Sequence, residues 1–141
     1  MNLYLETSAA LRDLLDGDDA DAIRRALRAA DHVVASRLTI AEVERVLVRL
    51  RATGAPPPSG FAAREAAFFA EAELWSVRPV DEAVLARCAR AFPVEPLRML
   101  DAIHVATVEL TSAIIPDVTV LSTDERVRDN AAALGFALAP R

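Results

Sequence analysis

Short apolar runs in this chain alternate with stretches whose apolar residues recur every three or four positions, a pattern that predicts strands and helices in turn. Leu3-Tyr4-Leu5 reads as a strand covered on both faces. It breaks on Glu6, after which Thr7 or Ser8 is expected to N-cap a helix running through Ala9, Ala10, Leu11, Leu14 and Leu15 to a stop at Gly17. Ile23, Ala26, Leu27 and Ala30 share one face of a helix over 20–30, and His32 to Ser36 forms a second strand. Thr39-Ile40-Ala41-Glu42 opens a long helix with a stripe of Val43, Val46, Leu47 and Leu50, ending near Gly54. The breaker-rich segment Ala55-Pro56-Pro57-Pro58-Ser59-Gly60 is too short to separate domains and reads as a stiff turn.

The next helix carries an aromatic face of Phe61, Phe68 and Phe69, a surface on which a partner helix could lie. A third strand is expected over 74–80, then a helix over 81–92 capped by Asp81 and a Pro-bounded loop over 93–96. Residues 97–113 are apolar almost all round and predict the most buried helix. A fourth strand, Val118 to Leu121, ends on Ser122-Thr123-Asp124; a helix over 126–134 stops at Gly135, and Phe136-Ala137-Leu138 is the fifth strand. Strands alternating with helices imply a parallel sheet, an α/β fold, and the 141 residues fit a single domain over 1–141.

Composition narrows the chemistry. The net charge of −5 gives no global basic field for nucleic acid, so any such binding needs a local patch or metal ions. All 16 basic residues are Arg, which removes every mechanism built on a lysine, including the phosphate-cradling loop that ends in Gly-Lys-Ser/Thr. With a single Cys88, no signal peptide and no apolar run of about 18 residues, the expectation is a cytoplasmic protein with no membrane association.

Four carboxylates hold the candidate chemistry. In an open parallel sheet, groups just past the carboxyl ends of the strands line the ligand crevice, so Glu6 and Asp124 would face each other if their strands are neighbours. Each also has a plainer role at the positive end of a helix. Glu42 closes a capping box with Thr39 in its plainer role. Asp101, within the apolar helix, would cost several kcal/mol if buried unpaired, so it requires Arg98, three residues back, or a metal. Converging carboxylates without a Cys/His cluster suit Mg2+ or Mn2+ rather than zinc; such an ion polarises a phosphodiester, helps generate hydroxide and stabilises the leaving oxygen. His104 is expected to pack or hydrogen-bond within the core.

The stretches Tyr4-Leu5-Glu6-Thr7-Ser8-Ala9, Ser36-x-Leu38-Thr39-x-Ala41-Glu42-Val43, Leu97-Arg98-x-Leu100-Asp101-Ala102-Ile103-His104-Val105-Ala106 and Leu121-Ser122-Thr123-Asp124 together resemble the PIN-domain ribonucleases. The likeness is strongest to VapC-type toxins of bacterial toxin–antitoxin operons. It implies a three-layer α/β/α sandwich around a five-stranded parallel sheet of order 3-2-1-4-5. It further implies a metal-dependent endoribonuclease with Mg2+ or Mn2+ as cofactor, a homodimer held inactive by a cognate antitoxin. The family's acidic positions, both catalytic and metal-binding, fall on Glu6, Glu42, Asp101 and Asp124, with Ser8 and Thr123 in support. Arg45 and Arg49, one and two turns beyond Glu42, are candidates for holding RNA phosphates; a solvated helix face is the plainer role. One departure stands out: the family has Asp where this chain has Glu6. A carboxylate pushed about 1 Å further out is expected to weaken cleavage, roughly a hundredfold at the extreme. The alternative is a PIN-like module that binds RNA or antitoxin without cleaving. A phospho-receiver domain lacks its required lysine here, and a dehalogenase-like phosphatase lacks its second Asp, Ser8 standing in that place.

Overall fold

The computed structural model describes residues 1–141, and it arranges five parallel strands in the order β3-β2-β1-β4-β5. The strands are β1 (Asn2–Leu5), β2 (His32–Ser36), β3 (Ser76–Arg78), β4 (Val118–Leu121) and β5 (Ala137–Ala139). Seven helices connect them: α1 (Thr7–Leu14), α2 (Ala20–Ala29), α3 (Arg37–Thr53), α4 (Phe61–Ala72), α5 (Glu82–Cys88), α6 (Met99–Ser112) and α7 (Glu125–Ala133). The expected order is therefore the observed one.

The period-two alternation of strand side chains divides the core. Leu3, Leu5 and Leu121 pack with Ala9, Ala10, Leu14, Ile23, Val43, Leu47 and Phe68 beneath α1–α4. Tyr4, Val34, Val118 and Val120 pack on the opposite face with Val84, Phe92, Ala102, Ile103, Val105, Ala106, Val108 and Val127 from α5–α7 and the loop after α5. Each fully buried Leu or Val stabilises the fold by about 1.5–3 kcal/mol, which fixes both layers against the sheet. The same alternation carries past the strand ends. Tyr4 faces α6, so Glu6 two residues on is directed to that side; Ser36 follows Val34, and Ser122 follows Val120, in the same way.

Several boundaries depart from the sequence expectation, each for a local reason. Glu6 itself, not Thr7 or Ser8, is the N-cap of α1: its carboxylate accepts from the Ser8 backbone N–H at 3.0 Å. Ser36 caps α3 by accepting from Leu38 N–H, so Thr39 lies inside the helix and donates to Leu5 O instead of forming a box with Glu42. Asp81 caps α5 as expected, but that helix ends at Cys88, not Phe92, because the Glu95 carboxylate takes the Phe92 N–H and Arg87 folds over the Phe92 ring at 3.9 Å. The third strand shrinks to three residues at the sheet edge, leaving Leu74 almost wholly exposed. The helix predicted to be most buried is α6, with eight of its 14 residues inside, though Met99 and Leu100 at its start are half exposed.

Candidate active site

Registration of the sheet sets the site. Leu5 pairs with both Ala35 and Leu121, so the next residues, Glu6, Ser36 and Ser122, leave the carboxyl edge at one level. Glu6 N–H still donates to Leu121 O at 3.0 Å, which holds the two strand ends together as the chain turns into α1.

The expectation that Glu6 reaches outward is not met. Its side chain is 5% exposed and folds back: Oε2 accepts from Ser8 N–H at 3.0 Å, from the Ser8 hydroxyl, and from the Ser122 hydroxyl at 2.8 Å. The carboxylate thereby caps its own helix, as Asp124 does at the start of α7. Ser8 Oγ then accepts from Thr123 N–H at 2.9 Å, and Ser122 Oγ from Asp124 N–H at 3.1 Å, so this anchor also binds the β4–α7 turn. Ser8 is in the supporting place expected of it; Thr123 enters through its backbone.

Glu42 lies on α3 against α1 and α6. Its Oε1 accepts from the Thr7 hydroxyl at 2.6 Å and lies 2.9 Å from His104 Nε2. Burial pushes its pKa up, but the hydrogen bonds from His104 and Thr7 outweigh that and hold it below the usual carboxylate range. His104 is 1% exposed; its Nδ1 meets the Tyr4 hydroxyl at 2.9 Å and its Nε2 also lies 3.1 Å from Thr7 Oγ1 and 3.7 Å from Glu6 Oε1. Sequence reasoning offered Thr7 or Ser8 as the cap and expected His104 to pack or hydrogen-bond within the core, which it does; the link of both Thr7 and His104 to Glu42 is what it missed. The available signal was spacing: His104 lies one turn after Asp101 on one helix, and Tyr4 two residues before Glu6 on one strand.

Asp101 is the opposite case. It belongs to the first turn of α6, where a carboxylate favours the helix dipole, rather than to mid-helix as expected. It makes no ion pair with Arg98 and accepts no hydrogen bond from any side chain or amide. Partial burial, then the charges of Asp124 and Glu6, push its pKa up, with His104 and Arg126 opposing. Asp124 fulfils its capping role through Oδ1, which takes Arg126 N–H at 2.9 Å and Val127 N–H at 3.2 Å, and leaves Oδ2 free.

All four acids therefore come to one end of the sheet, from four elements. Their chemistry fits a hard divalent cation: all donors are oxygens, unsatisfied lone pairs remain on Asp101, Asp124, Glu42 and Glu6 Oε1, and like charges repel. As the side chains stand, no three of them close to the spacing of one ligand shell, Glu6 being held back on its serines. Arg45 and Arg49 are exposed on α3 and form no ion pair; Glu42 turns to His104 rather than to Arg45. The aromatic face of α4 is divided: Phe68 is buried edge-on to Trp75 in the core, while Phe61 lines a cavity of about 470 Å³ with Leu15, Leu47, Leu50 and the three prolines.

The PIN domain family profile matches residues 3–133. The chain belongs to the PIN domain family. Within it, this PIN domain is similar to the VapC proteins. It is 38% identical over 137 residues to "Ribonuclease VapC46" of Mycobacterium tuberculosis, covering 96% of this chain and 95% of that one. With "Ribonuclease VapC35" of the same organism the identity is 30% over 138 residues, covering 96% and 94%. Solved structures share the fold at low identity. A toxin–antitoxin complex from Klebsiella pneumoniae aligns with a TM-score of 0.65 and 16% identity, covering all of this chain and 98% of that one. FitAcB from Neisseria gonorrhoeae aligns at 0.63 and 20%, covering 96% and 95%. The five-stranded order above is the order expected of a PIN-like fold. No helix is long and apolar enough to cross a membrane.

Proposed function

We propose that this PIN domain is a metal-dependent endoribonuclease, the toxin of a toxin–antitoxin pair. The observation that carries this reading is the acidic pocket at the carboxyl edge of β1 and β4, in which Asp101 has no partner and is pressed by the charges of Asp124 and Glu6. Uncompensated like charge of this kind is what a divalent ion relieves. The relatives named ribonucleases and the toxin–antitoxin neighbours support the same conclusion.

In this reading Asp101 and Asp124 offer free oxygens to Mg2+ or Mn2+, Glu42 offers Oε2 while its Oε1 is occupied, and Glu6 offers Oε1. When bound, the ion supplies charge neutralisation and polarises the scissile phosphodiester. The protein does the rest by position. Ser8 and Ser122 hold Glu6, the Thr123 amide fixes the turn beneath it, and Arg45 and Arg49 face solvent to hold RNA phosphates. Residues 1–141 act as one domain, paired as a homodimer and neutralised by a small protein antitoxin.

The test is Mg2+- and Mn2+-dependent cleavage of total RNA by purified protein, with Asp101→Asn as control and EDTA as blank. Defined fragments that need metal and vanish in the variant are expected; equal fragments from both proteins would refute the assignment of Asp101. The tethering of Glu6 favours one other reading, a module that binds RNA or antitoxin without cutting. Silence of wild type and Glu6→Asp alike at high metal would establish that alternative.

A further inference from the structure

We propose that His104 is a positioning residue for Glu42, locked as its Nε2–H tautomer by the hydroxyl of Tyr4. The functional half of this inference rests on the metal-site reading above; the tautomer does not.

Tyr4 is fully buried, and its hydroxyl meets His104 Nδ1 at 2.9 Å, with the Thr107 side chain and the Ser36 backbone also beside it. A buried phenol proton deprived of an acceptor costs about 1–3 kcal/mol, and the acceptor at 2.9 Å is the ring nitrogen, which then presents a lone pair. The neutral imidazole then carries its hydrogen on Nε2.

That hydrogen has one anionic acceptor at bonding distance, Glu42 Oε1 at 2.9 Å; Glu6 Oε1 is further away at 3.7 Å. Thr7, 3.1 Å from the same nitrogen, donates its own hydroxyl to Oε1 at 2.6 Å. Two donors on one oxygen fix the carboxylate and leave Oε2 free. With the other tautomer, an Nε2 lone pair would meet a carboxylate oxygen at 2.9 Å with nothing between them.

The relay thus runs from the core strand β1 through α6 to α3. It gives α6 two functions one turn apart: Asp101 as an acid, and His104 as the support of another acid on a different helix. A buried pair of this cost in the core is otherwise unneeded, since Phe and Leu would fill the space without a polar atom to satisfy. Residues that orient a ligating carboxylate through hydrogen bonds are typically worth a 10- to 100-fold change in metal affinity.

The experiment is nitrogen NMR of protein labelled with ¹⁵N-histidine, recorded without metal. The chain has two histidines, and His32 is exposed, so His104 is assigned by its loss in His104→Gln. We expect a protonated Nε2 and a bare Nδ1; an Nδ1–H ring or a doubly protonated one overturns the lock. Tyr4→Phe keeps the ring in the core and should shift His104 toward a mixture of tautomers. Mn2+ titration by calorimetry then reads the consequence. Affinity should fall about 10-fold in Tyr4→Phe and up to about 100-fold in His104→Ala, with His104→Gln recovering most of the loss through its amide N–H. Unchanged affinity in both Tyr4→Phe and His104→Ala refutes positioning. If the wild type takes up no Mn2+, the metal reading fails separately, and the ¹³C carboxyl signal of Glu42 decides: displaced in His104→Ala, positioning stands; unmoved, it falls.

Discussion

On the β1–α3 side of the pocket, Glu6 and Glu42 are each fastened through one oxygen, by Ser8 and Ser122 in one case and by Thr7 and His104 in the other. Across from them, Asp101 accepts no hydrogen bond and Asp124 holds only its own helix end. The pKa directions follow this division: hydrogen-bond donors overcome burial at Glu42, and burial with like charge wins at Asp101. The first side is held rigid by protein groups. The second is held short of neutrality, which suits groups awaiting a cation.

The largest expected effect comes from removing the unpartnered charge. Asp101→Asn takes away a ligand in the proposed site, and a loss of several kcal/mol of electrostatic stabilisation is roughly a thousandfold in cleavage rate. The same substitution should raise the melting temperature of the metal-free protein, because the carboxylate it removes is repelled by Asp124 and Glu6. Thermal melts with and without EDTA check this. The pH dependence has a sign. Asp101 has a raised folded-state pKa, so its charged form costs stability at neutral pH, and that cost is relieved as pH falls through the raised value. Glu42 has a lowered one, so its contribution is full above the ordinary carboxylate pKa and is lost as pH falls through the folded value. Asp101→Asn should therefore remove the gain in stability on mild acidification while leaving the loss at lower pH in place.

Next in size is Glu6→Asp. An Asp still caps from this position, as Asp124 does with the N–H two residues on at 2.9 Å, but its carboxylate lies about 1 Å closer to the backbone, where the family places it. Cleavage is expected to rise, by up to about a hundredfold if the carboxylate is now displaced by about 1 Å from its productive place. A rate no higher than that of the wild type would dismiss the idea that Glu6 weakens the enzyme.

Much of this contrast was legible before any coordinates. The four acids stand in four spaced stretches, and the placement of β1 beside β4 brings Glu6 and Asp124 to one edge as the strand-end argument required. The partners were not legible. Ser36 displaced Thr39 as a cap because α3 begins at Arg37, directly after β2, and the capping box with Glu42 then had no basis. Tyr4 and His104 looked like strand and core because each does that work as well, and Thr7 looked like a cap but is the first residue of α1; only three-dimensional juxtaposition of β1, α1 and α6 shows the hydrogen bonds. Glu6 escaped because spacing cannot distinguish a side chain that extends from one that folds back.

A third intervention loosens the fastened side. Ser122 is fully buried and donates to Glu6 Oε2 while accepting from Asp124 N–H. Ser122→Ala leaves a buried carboxylate short of one donor and an amide short of its acceptor, which should destabilise the protein by about 1–3 kcal/mol in urea unfolding. An equivalent Thr123→Ala should cost much less, since Thr123 contributes its backbone N–H.

The smallest effect lies outside the pocket, where neither side's hydrogen bonding reaches. Arg45 and Arg49 are solvent-exposed, and α3 offers them no carboxylate: Glu44 turns to Arg37 at 3.8 Å and Glu42 to His104. Charges placed so act at a distance and through salt water, where screening sets in over about 8 Å at physiological ionic strength. If they hold RNA, the double substitution Arg45→Ala, Arg49→Ala should raise KM with kcat unchanged, and should flatten the log–log salt dependence of RNA binding by about 0.7 per arginine. At high salt, variant and wild type should converge. A fall in kcat with KM unchanged would instead put one of these arginines at the reacting phosphate, joining α3 to the chemistry of the open side; no change in either would return them to a solvated helix face.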